Sequence, residues 1–581
     1  MLPLPRLRTR MPNPTRLNRL APVLLAGPVV CFGAFLLTYA VNVPWMDDLD
    51  AFLRFLLGYT DARSLSEKID WLLRPNNEHR MLTGKLLTLS LYKLTGVVNF
   101  RWLVLLAAGF LAGTLGLLYR VFRWSGLPAL AFVPVPFLLL QPQYHLTSLW
   151  AITGLQHEVV IFEVLTALYW LSGVGRAASG RAASGRGRFA GAVAMQTLAS
   201  FSMSNGLFGW VAGAAVLTAQ RHWRRLMVWL VIGAGAIGLY FHDFANGQGN
   251  EGAVDFLRQY PYLVVSGFFT FAGALVDFLP NAGIFLRSVL PTGFGLVLIG
   301  TVAGLLWRMN ERLLRPGNGP EGVPADQRRS RYFFTGAYAF LLVNAAVIAL
   351  LRPRFGYGVL LVSNYMLYPA LLVCLLYLNG LVEFRGLRRR RWMRVGAVVA
   401  VFVWGAHYVL RWPIVAERRQ TLLAFAQNQQ RNDVGLGATL GTPFADLARR
   451  VMTDAQQRGL YHYPTAQFAP DPDRLPAVTD SSLRLQIAPN EYSTLVETLG
   501  YPLPPTARRA WVVVRSDRHT YLFGAETPFA FGPFFGNRPL RGVRAEVLRG
   551  MLHPGTYRLG LLLDSAEQPL RFGRQTLVIA H

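Results

Sequence analysis

Long apolar runs alternate with short clusters of arginine along the first 410 residues of the chain. Runs of about 20 apolar residues are long enough to cross a bilayer as helices. Arginine accounts for 55 of the 58 basic residues, and its clusters lie between the runs, as in the positive-inside pattern. A nucleic-acid site would need one continuous basic face instead. The sequence therefore indicates a polytopic α-helical membrane protein, and we expect no nucleic-acid partner despite the net charge of +27.

The apolar runs predict about 11 spans, and five arginines before the first run predict a cytoplasmic N-terminus. The segment 260–279 is predicted to be re-entrant or interfacial, since a full crossing there would place the arginine cluster at 308–331 outside. An odd number of crossings then puts the C-terminal part outside. The predicted spans are about 20–42, 100–119, 127–141, 158–174, 189–203, 206–220, 226–242, 288–307, 332–351, 364–382 and 395–410.

The character of the sequence changes after residue 410, where the apolar runs shorten. We therefore predict a transmembrane domain at 1–410, with a first outer loop at 43–98, and an outer C-terminal domain at 411–581. Residues 414–460 have a helical pattern. Short alternating segments between Gly and Pro predict strands, which favours an α+β domain containing a small β-sandwich. These segments are Ala510–Arg515, Thr520–Gly524 and Thr556–Leu563.

The first outer loop concentrates acidic residues in a chain that has only 31 of them. Asp47 and Asp48 follow the first span directly, at the boundary between water and lipid. Two carboxylates there suit a general base or a pair that binds a metal ion. The alternative is that an aspartate caps the helix that begins after it. Amphipathic segments at Leu49–Leu57 and Met81–Leu94 are predicted to lie on the membrane or dip into it.

Three further groups of polar residues are predicted on the same outer side. Glu78, His79 and Arg80 form a second polar cluster, with a helix start favoured by Glu78 as the alternative. The lone histidines His145 and His157 favour structural roles. Arg352 and Arg354 stand where arginine is disfavoured near span ends. They suit a clamp for a phosphate on a lipid carrier, and snorkelling to phospholipid is the alternative.

The segments Trp45-Met46-Asp47-Asp48 and Asn77-Glu78-His79-Arg80 resemble a recurring pattern in uncharacterised bacterial members of the glycosyltransferase C superfamily (GT-C). These are integral membrane enzymes that use polyprenyl-phosphate sugars. The likeness covers about 1–410 in architecture and includes the amphipathic first loop. It implies a GT-C-like fold in the bacterial inner membrane, with the active site, the 43–98 loop and the C-terminal domain facing the periplasm. Related sequences often have Arg-Tyr where this chain has Asn364-Tyr365, so a carrier-phosphate role would move to Arg352 or Arg354.

The resemblance implies an inverting transfer of a hexose or pentose from a polyprenyl-phosphate donor to a hydroxyl of a cell-envelope glycan or lipid-linked acceptor. Asp47 or Asp48 would be the base. The remaining polar residues would bind substrate: Glu78, His79, Arg80, Arg352 and Arg354. Membrane lipids are further expected partners. A divalent ion held by Asp47, Asp48, Glu78 and His79 stays open, because oxygen ligands alone do not identify a metal.

Two other classes of protein fit parts of the sequence. A transporter or flippase of lipid-linked or anionic solutes would also carry outer arginines and broken spans. Against it, the carboxylates singled out above lie in an outer loop, and the sequence has no evident internal repeat. A membrane scaffold whose β-rich tail binds a partner is the other alternative, and it would tolerate the loss of both Asp47 and Asp48.

Overall fold

The computed structural model describes residues 14–77, 79–174, 182–243, 252–314, 324–498, 500–501, 503–504, 509–526, 542–564 and 569–580. Glu78, one of the predicted site residues, lies outside these ranges. The α-helices are α1 (Pro14–Tyr39), α2 (Phe55–Asp61), α3 (Leu65–Leu73), α4 (Leu82–Thr95), α5 (Phe100–Arg123), α6 (Pro134–Leu139), α7 (His145–Leu149), α8 (Ala151–Ser172), α9 (Ala182–Ser202), α10 (Phe208–Ala219), α11 (Trp223–Phe241), α12 (Ala253–Gln259), α13 (Pro261–Ala272), α14 (Ile284–Leu314), α15 (Ala325–Leu351), α16 (Leu367–Glu383), α17 (Gly386–Asn432) and α18 (Pro443–Gln457).

Within the described ranges, 8 helices are long and apolar enough to cross a membrane. They are α1, α5, α8, α11, α14, α15, α16 and α17. Several of them turn large apolar side chains outward: Val23, Phe285 and Val398 are 69%, 83% and 70% exposed. Contact of so much apolar surface with water is unfavourable, whereas contact with lipid is not. The chain is a multi-pass membrane protein, as the alternation of apolar runs and arginine predicts.

Three of the predicted spans fall on elements that are shorter or less apolar. Residues 127–141 form a 3₁₀ turn (Ala129–Phe132) and the six-residue α6, and the prolines of this segment prevent a continuous spanning helix. The predicted spans 189–203 and 206–220 correspond to α9 and α10, which are joined by a 3₁₀ turn at Ser204–Leu207. Helix α10 has 12 residues, about 18 Å of helix, which is shorter than a bilayer core of about 30 Å.

The segment predicted to be re-entrant contains α13, another helix of 12 residues. It packs closely along α14, where a Cβ added at Gly273 would lie 2.0 Å from the carbonyl oxygen of Pro291. Asp277 follows shortly after α13, and its carboxylate contacts Arg287 of α14 and Arg411 of α17. The short α13 is held against two long helices. Irregular main chain can lie at membrane depth where protein covers it in this way.

Arginines from separate helices meet at one end of the helical bundle. Arg188, near the start of α9, donates to the carbonyl oxygen of Gly173 at the end of α8, at 2.8 Å. The guanidinium of Arg329, near the start of α15, lies 4.3 Å from the ring of Trp124 at the end of α5. The opposite ends of α5, α8 and α15 therefore share the other side. That the arginine end is cytoplasmic remains a prediction.

Helix α17 has 47 residues and runs without a break through the predicted domain boundary at 410 and 411. After α18, the described chain forms one eight-stranded sheet in the order β1-β8-β7-β4-β5-β6-β3-β2. The strands are β1 (Ala477–Thr479), β2 (Leu485–Pro489), β3 (Ser493–Thr498), β4 (Ala510–Arg515), β5 (Thr520–Glu526), β6 (Arg544–Leu548), β7 (Gly555–Leu563) and β8 (Leu570–Ile579).

The three predicted strands are confirmed, and the predicted β-rich part of the C-terminal domain is present as a half-barrel rather than a sandwich. All eight strands belong to one hydrogen-bonded sheet rather than two packed sheets. The central strands bury side chains on both faces, and the end of α17 covers part of the sheet through Asn428, which donates to the carbonyl oxygen of Leu522 at 2.8 Å. The end of α17 and the sheet therefore pack as a helix on a sheet, an α+β arrangement.

The beginning of the first outer loop is inside the protein rather than on a membrane surface. Residues Leu49–Arg54 form a π-helical turn that continues into α2, and the apolar side chains from Leu49 to Leu57 are all buried. The prediction of an interfacial segment at Leu49–Leu57 is therefore wrong: its apolar face meets protein. Helix α4 does dip into the bundle, because Thr83 donates to Glu163 in the middle of α8 at 3.0 Å.

Candidate functional site

Asp48 connects the first outer loop to the start of α8. Its carboxylate accepts two main-chain N–H groups, from Trp45 at 3.1 Å and from Ile152 at 2.9 Å. The side chain is 1% exposed, and burial raises its pKa to about 8. The capping alternative is therefore right in kind but concerns another helix. Asp48 satisfies a free N–H group at the N-terminus of α8, about 100 residues away in sequence.

Asp47 has a different environment from its neighbour. It is half-buried, and its Oδ1 atom accepts a hydrogen bond from the side chain of Asn77 at 3.1 Å. Among the described residues, no hydrogen-bond partner faces the second carboxylate oxygen. Burial raises the pKa of Asp47, the Asn77 hydrogen bond opposes that rise, and the nearby charge of Asp50 adds to it. Asp47 is the carboxylate of the pair with an oxygen left to take a proton.

The two segments that carry the GT-C resemblance lie against each other. Besides the bond from Asn77 to Asp47, the amide of Asn76 donates to Asp50 at 2.5 Å. The main chains of Asn76 and His79 pair in a short antiparallel bridge, which closes the second segment into a tight turn. Asparagine amides thus connect residues 26 and 30 positions apart.

Main-chain strain marks both segments. Met46 and Asn77, the residues on either side of the Asp47 contact, have positive φ angles of 48° and 49°. Such a conformation is unfavourable for a side chain like that of Met and persists only where neighbouring structure holds it. The π-helical turn that begins at Leu49 is a further irregularity. Both kinds of feature are concentrated at functional sites.

Arg80 is an anchor for the loop. It is 8% exposed, and its guanidinium donates to three main-chain carbonyls. Two of them, from Tyr240 and His242, belong to the end of α11, and the third is from Leu73 at the end of α3. Because these bonds occupy all three nitrogens, the arrangement favours positioning of the loop over substrate binding by Arg80.

A chain of rings links His157 of α8 to Arg352. His157 of α8 is buried and shares a hydrogen bond of 2.9 Å with the hydroxyl of Tyr368. Its ring packs edge-on against Tyr365, at 5.8 Å between centroids. The guanidinium of Arg352 lies 6.0 Å from the centroid of that same Tyr365 ring. His157, Tyr365 and Arg352 therefore follow one another in space.

The two predicted phosphate-binding arginines are placed differently. Arg352 follows α15 and is half-buried, and among the described residues no hydrogen-bond acceptor faces its guanidinium. Arg354 lies over the ring of Phe355 at 4.7 Å, and Phe355 is 53% exposed. Of the two, Arg352 is thus the arginine whose guanidinium meets no acceptor in the described part of the chain, whereas Arg354 lies over an exposed ring.

A cavity of about 300 Å³ adjoins Trp45. Its other walls come from α7, through His145, and from α17, through Glu417 and Arg418. The Arg418 guanidinium lies 4.2 Å from the Trp45 ring. His145 itself is buried and bonded to Ser363 at 3.1 Å, in agreement with the structural role predicted for it. The cavity has the size and the mixed aromatic and charged lining of a small-ligand site.

The predicted metal ligands give only partial support for an ion. Among the residues described, no group of three or more His, Cys, Asp or Glu is close enough together to hold one. Glu78 lies outside that part of the chain. Both oxygens of Asp48 already accept N–H groups, so Asp47 is the better ligand of the two. Metal binding at this site therefore stays a prediction.

Sequence reasoning missed several buried polar groups. Glu158 and Glu163 of α8 are each 1% exposed, and each has one oxygen without a hydrogen-bond partner in the described structure. Asp277, with 0% exposure, is held by two arginines. The available signal was the rarity of acidic residues inside apolar runs, where an ionisable group marks a paired or functional position.

Comparison with known proteins gives one match among solved structures. The chain is similar to the crystal structure of ArnT from Cupriavidus metallidurans in the apo state, with 14% identity over 76% of this chain and 89% of that chain, at a TM-score of 0.26. At that identity and TM-score, no residue role passes from that protein to this one. No family model and no curated protein matches the chain.

Proposed function

We propose that this protein is a membrane glycosyltransferase of the GT-C type. It would move a sugar from a polyprenyl-phosphate donor to a hydroxyl of a periplasmic or lipid-linked glycan. The observation that carries the proposal is the pairing of Asp47 with Asn77 next to a buried Asp48. This pairing leaves one carboxylate oxygen open in a rigid, partly dry setting. The resemblance of the two sequence segments to GT-C members supplies the reaction class.

In the proposed reaction, Asp47 is the general base. It takes the proton of the acceptor hydroxyl as that oxygen forms a bond to the anomeric carbon. The bond from the anomeric carbon to the phosphate oxygen breaks at the same time, and its electron pair leaves with the lipid phosphate. Attack opposite the leaving group inverts the configuration. Asp48, locked to α8, would hold Asp47 in place and take no part in the proton transfer.

Arg352 would stabilise the departing phosphate, with Arg354 contributing at the rim. A lipid phosphate is already a good leaving group, so it needs positive charge more than a proton. The fork of an arginine side chain fits two phosphate oxygens at once. The cavity beside Trp45 would accommodate a sugar ring, because it combines an aromatic wall with charged groups.

Sugar transfer by the purified protein in lipid nanodiscs tests this proposal. A labelled polyprenyl-phosphate sugar is the donor, and an envelope glycan extract is the acceptor. Asp47→Asn should lower the transfer rate by about 10²–10⁴, because it removes the base. The matched control is Asp61→Asn in the same loop, where Asp61 is exposed and paired with Arg458. Equal rates for wild type and Asp47→Asn would remove Asp47 as the base.

A transporter or flippase of lipid-linked or anionic solutes is the second candidate. The observation that favours it is the pair of buried carboxylates in α8, since Glu163 lies near the middle of a helix of 22 residues. Ionisable groups at that depth are often part of a solute path. This weakens the sequence argument that carboxylates are confined to an outer loop.

The two candidates differ in what happens to the covalent bond of the substrate. A flippase moves an intact lipid-linked sugar across vesicles, and Glu163→Gln should stop that movement. A transferase produces free lipid phosphate, and its product formation should depend on Asp47. Movement of intact lipid without any release of lipid phosphate would favour the transporter.

A further inference from the structure

The residue just before Asp47 is bonded to the C-terminal domain. The main-chain N–H of Met46 donates to the carbonyl oxygen of Leu436 at 3.0 Å. Both residues have left-handed main-chain conformations, with φ angles of 48° and 56°. Such conformations are rare for bulky residues. Two of them joined by one hydrogen bond indicate a contact that the surrounding structure enforces.

Leu436 belongs to a compact turn, residues 433–441, which follows α17 and which we name the 433–441 turn. Its first residue, Asp433, ends α17 with a φ of 57°. Its Leu440 N–H donates to the carbonyl oxygen of Gly550, next to the end of β6, at 2.8 Å. The turn is thus fixed to the long helix at one end and to the sheet at the other. Its middle residues meet the first outer loop.

The contact is close enough to require glycine at position 437. A Cβ atom added there would lie 2.6 Å from Cγ of Met46 and 3.1 Å from Nε1 of Trp45. Gly437 also has a φ of 88°, which disfavours any side chain. At Gly437 the turn therefore presents main chain directly to the segment that ends in Asp47 and Asp48.

Other contacts hold the rest of the loop to the same part of the chain. Tyr461 donates its hydroxyl proton to the carbonyl oxygen of Asn42 at 2.8 Å, just before the loop. The N–H of Val98, at the end of the loop, donates to the carbonyl oxygen of Leu460 at 2.8 Å. The segment around α18 therefore fixes both ends of the loop, and the 433–441 turn fixes the point next to Asp47.

We propose that the 433–441 turn is a positioning element for Asp47, acting through the Met46–Leu436 hydrogen bond and the close approach of Gly437. This inference rests on the proposed function. It gives the C-terminal domain a role in the reaction: the sheet and α17 hold the turn, and the turn sets the direction of the Asp47 carboxylate. Displacing a reacting group by about 1 Å can cost about 10²-fold in rate.

The test compares two glycines of the same turn. Gly437→Ala adds a methyl group against Met46, while Gly441→Ala adds one at a φ of 75° with no atom within 4 Å. Both substitutions impose the same kind of main-chain strain. They differ because only the first adds a methyl group that meets the loop. Gly437→Ala should lower kcat by about 10- to 100-fold with little change in KM. Its acidic pH limb should move to lower pH, because a loosened loop relaxes the burial that raises the pKa of Asp47.

A rescue separates the contact from a general loss of structure. Adding Met46→Ala to Gly437→Ala removes the side chain that the new methyl group would meet, so part of kcat should return. Equal kinetics and pH limbs for Gly437→Ala and Gly441→Ala would overturn the positioning role, as would a double variant no faster than Gly437→Ala. Absence of transfer by the wild-type protein would count against the proposed function alone.

A cross-link tests the same contact with the reduced form of the same variant as its internal control. Met46→Cys with Gly437→Cys places two thiols together, and the native Cys31 and Cys374 lie apart from them in α1 and α16. The disulfide should form under mild oxidation and leave kcat close to that of the reduced variant. A rate that collapses on oxidation and returns on reduction would mean that the loop leaves the turn during the reaction, which overturns the proposal.

Discussion

Two regions of the molecule each contain an aspartate that is removed from water. The first outer loop has the half-buried Asp47, and the junction between α13 and α14 has the buried Asp277. The two regions differ in what binds the carboxylate. Asp277 has both oxygens occupied by Arg287, and Arg411 donates to one of them at 2.8 Å. Asp47 accepts one hydrogen bond from a neutral amide. A carboxylate saturated by guanidinium groups has no capacity for a proton, whereas one held by a single amide keeps it.

The difference separates stability from chemistry in residues of the same type. The Asp277 cluster joins α13, α14 and α17, and its one carboxylate is paired with two guanidinium groups of the protein. The Asp47 region contains irregular main chain and an open oxygen. We expect substitutions in the Asp277 cluster to change the free energy of unfolding, and substitutions of Asp47 and of the residues that act on it in the reaction to change the rate. The following predictions test that separation.

The largest effect on stability is expected for Asp277→Asn. It leaves Arg287 and Arg411 without their counterion, and breaking a buried ion pair costs about 3–5 kcal/mol. Thermal unfolding in detergent measures the loss. Sugar transfer per folded molecule should match that of wild type. A folded variant without transfer would place Asp277 in the reaction and contradict its purely stabilising role.

The next effect is expected for Arg352, the arginine with open donors. Arg352→Ala should raise the KM for the lipid-phosphate sugar by roughly 10- to 150-fold. This corresponds to the loss of a charge-assisted hydrogen bond of about 1.5–3 kcal/mol. Arg352→Lys should recover part of this, because a point charge lacks the fork. Arg258, which is exposed and paired with Asp255, provides the control substitution. Donor KM unchanged in Arg352→Ala and in the double variant with Arg354→Ala would leave snorkelling as the better account.

A smaller effect is expected for Asp48→Asn. The NH₂ group of the new amide would face one of the two main-chain N–H groups, and two donors cannot bond to each other. The free energy of unfolding should therefore fall by about 1–3 kcal/mol. Burial raises the pKa of Asp48 to about 8, so the folded protein holds this proton more tightly than the unfolded chain. The stabilisation is complete below the unfolded pKa of about 3.9 and is lost as the pH rises through about 8.

The free energy of unfolding of wild type and of Asp48→Asn, measured at about pH 5 and at about pH 8, checks this prediction. Wild type should lose stability as the pH rises, and the variant should lack that slope. A variant with normal stability and no transfer would make Asp48 the base and exchange the roles of the two aspartates.

The smallest effect is expected for Asn77→Ala. Its amide favours the charged form of Asp47, so removing it should raise the pKa of that carboxyl further. The acidic limb of the pH–rate profile should therefore move to higher pH, with a modest change in the maximal rate. A shift to lower pH would show that Asn77 acts on Asp47 through position rather than through its hydrogen bond.

Much of the fold follows from local patterns. The long helices were predictable because lipid-facing residues must be apolar over the whole width of a bilayer. Strand β4 begins and ends at the residues that its alternation predicts, Ala510 and Arg515. The broken segment at 127–141 was misjudged, because hydropathy registers its apolar side chains and not the effect of its prolines.

The candidate site was predictable in position but not in detail. The sequence shows two carboxylates after the first span, and it contains nothing to indicate that Asp48 meets Ile152 at the start of α8. It also shows Arg80 as a charge in a polar cluster, whereas its partners are carbonyls at the end of α11. Such contacts depend on tertiary packing between distant segments, which local periodicity does not encode.

The length of α17 has a consequence for where the sheet stands. Arg394, in the last arginine cluster, and Gln420, which contacts β4, are 26 residues apart on this one helix. That distance is about 39 Å at 1.5 Å per residue, and the hydrocarbon core takes up about 30 Å of it. With Arg394 at the cytoplasmic surface, as the arginine pattern predicts, the sheet would stand within about 10 Å of the lipid headgroups on the other side. At that height, the acceptor of the proposed reaction would approach along the membrane plane rather than from above.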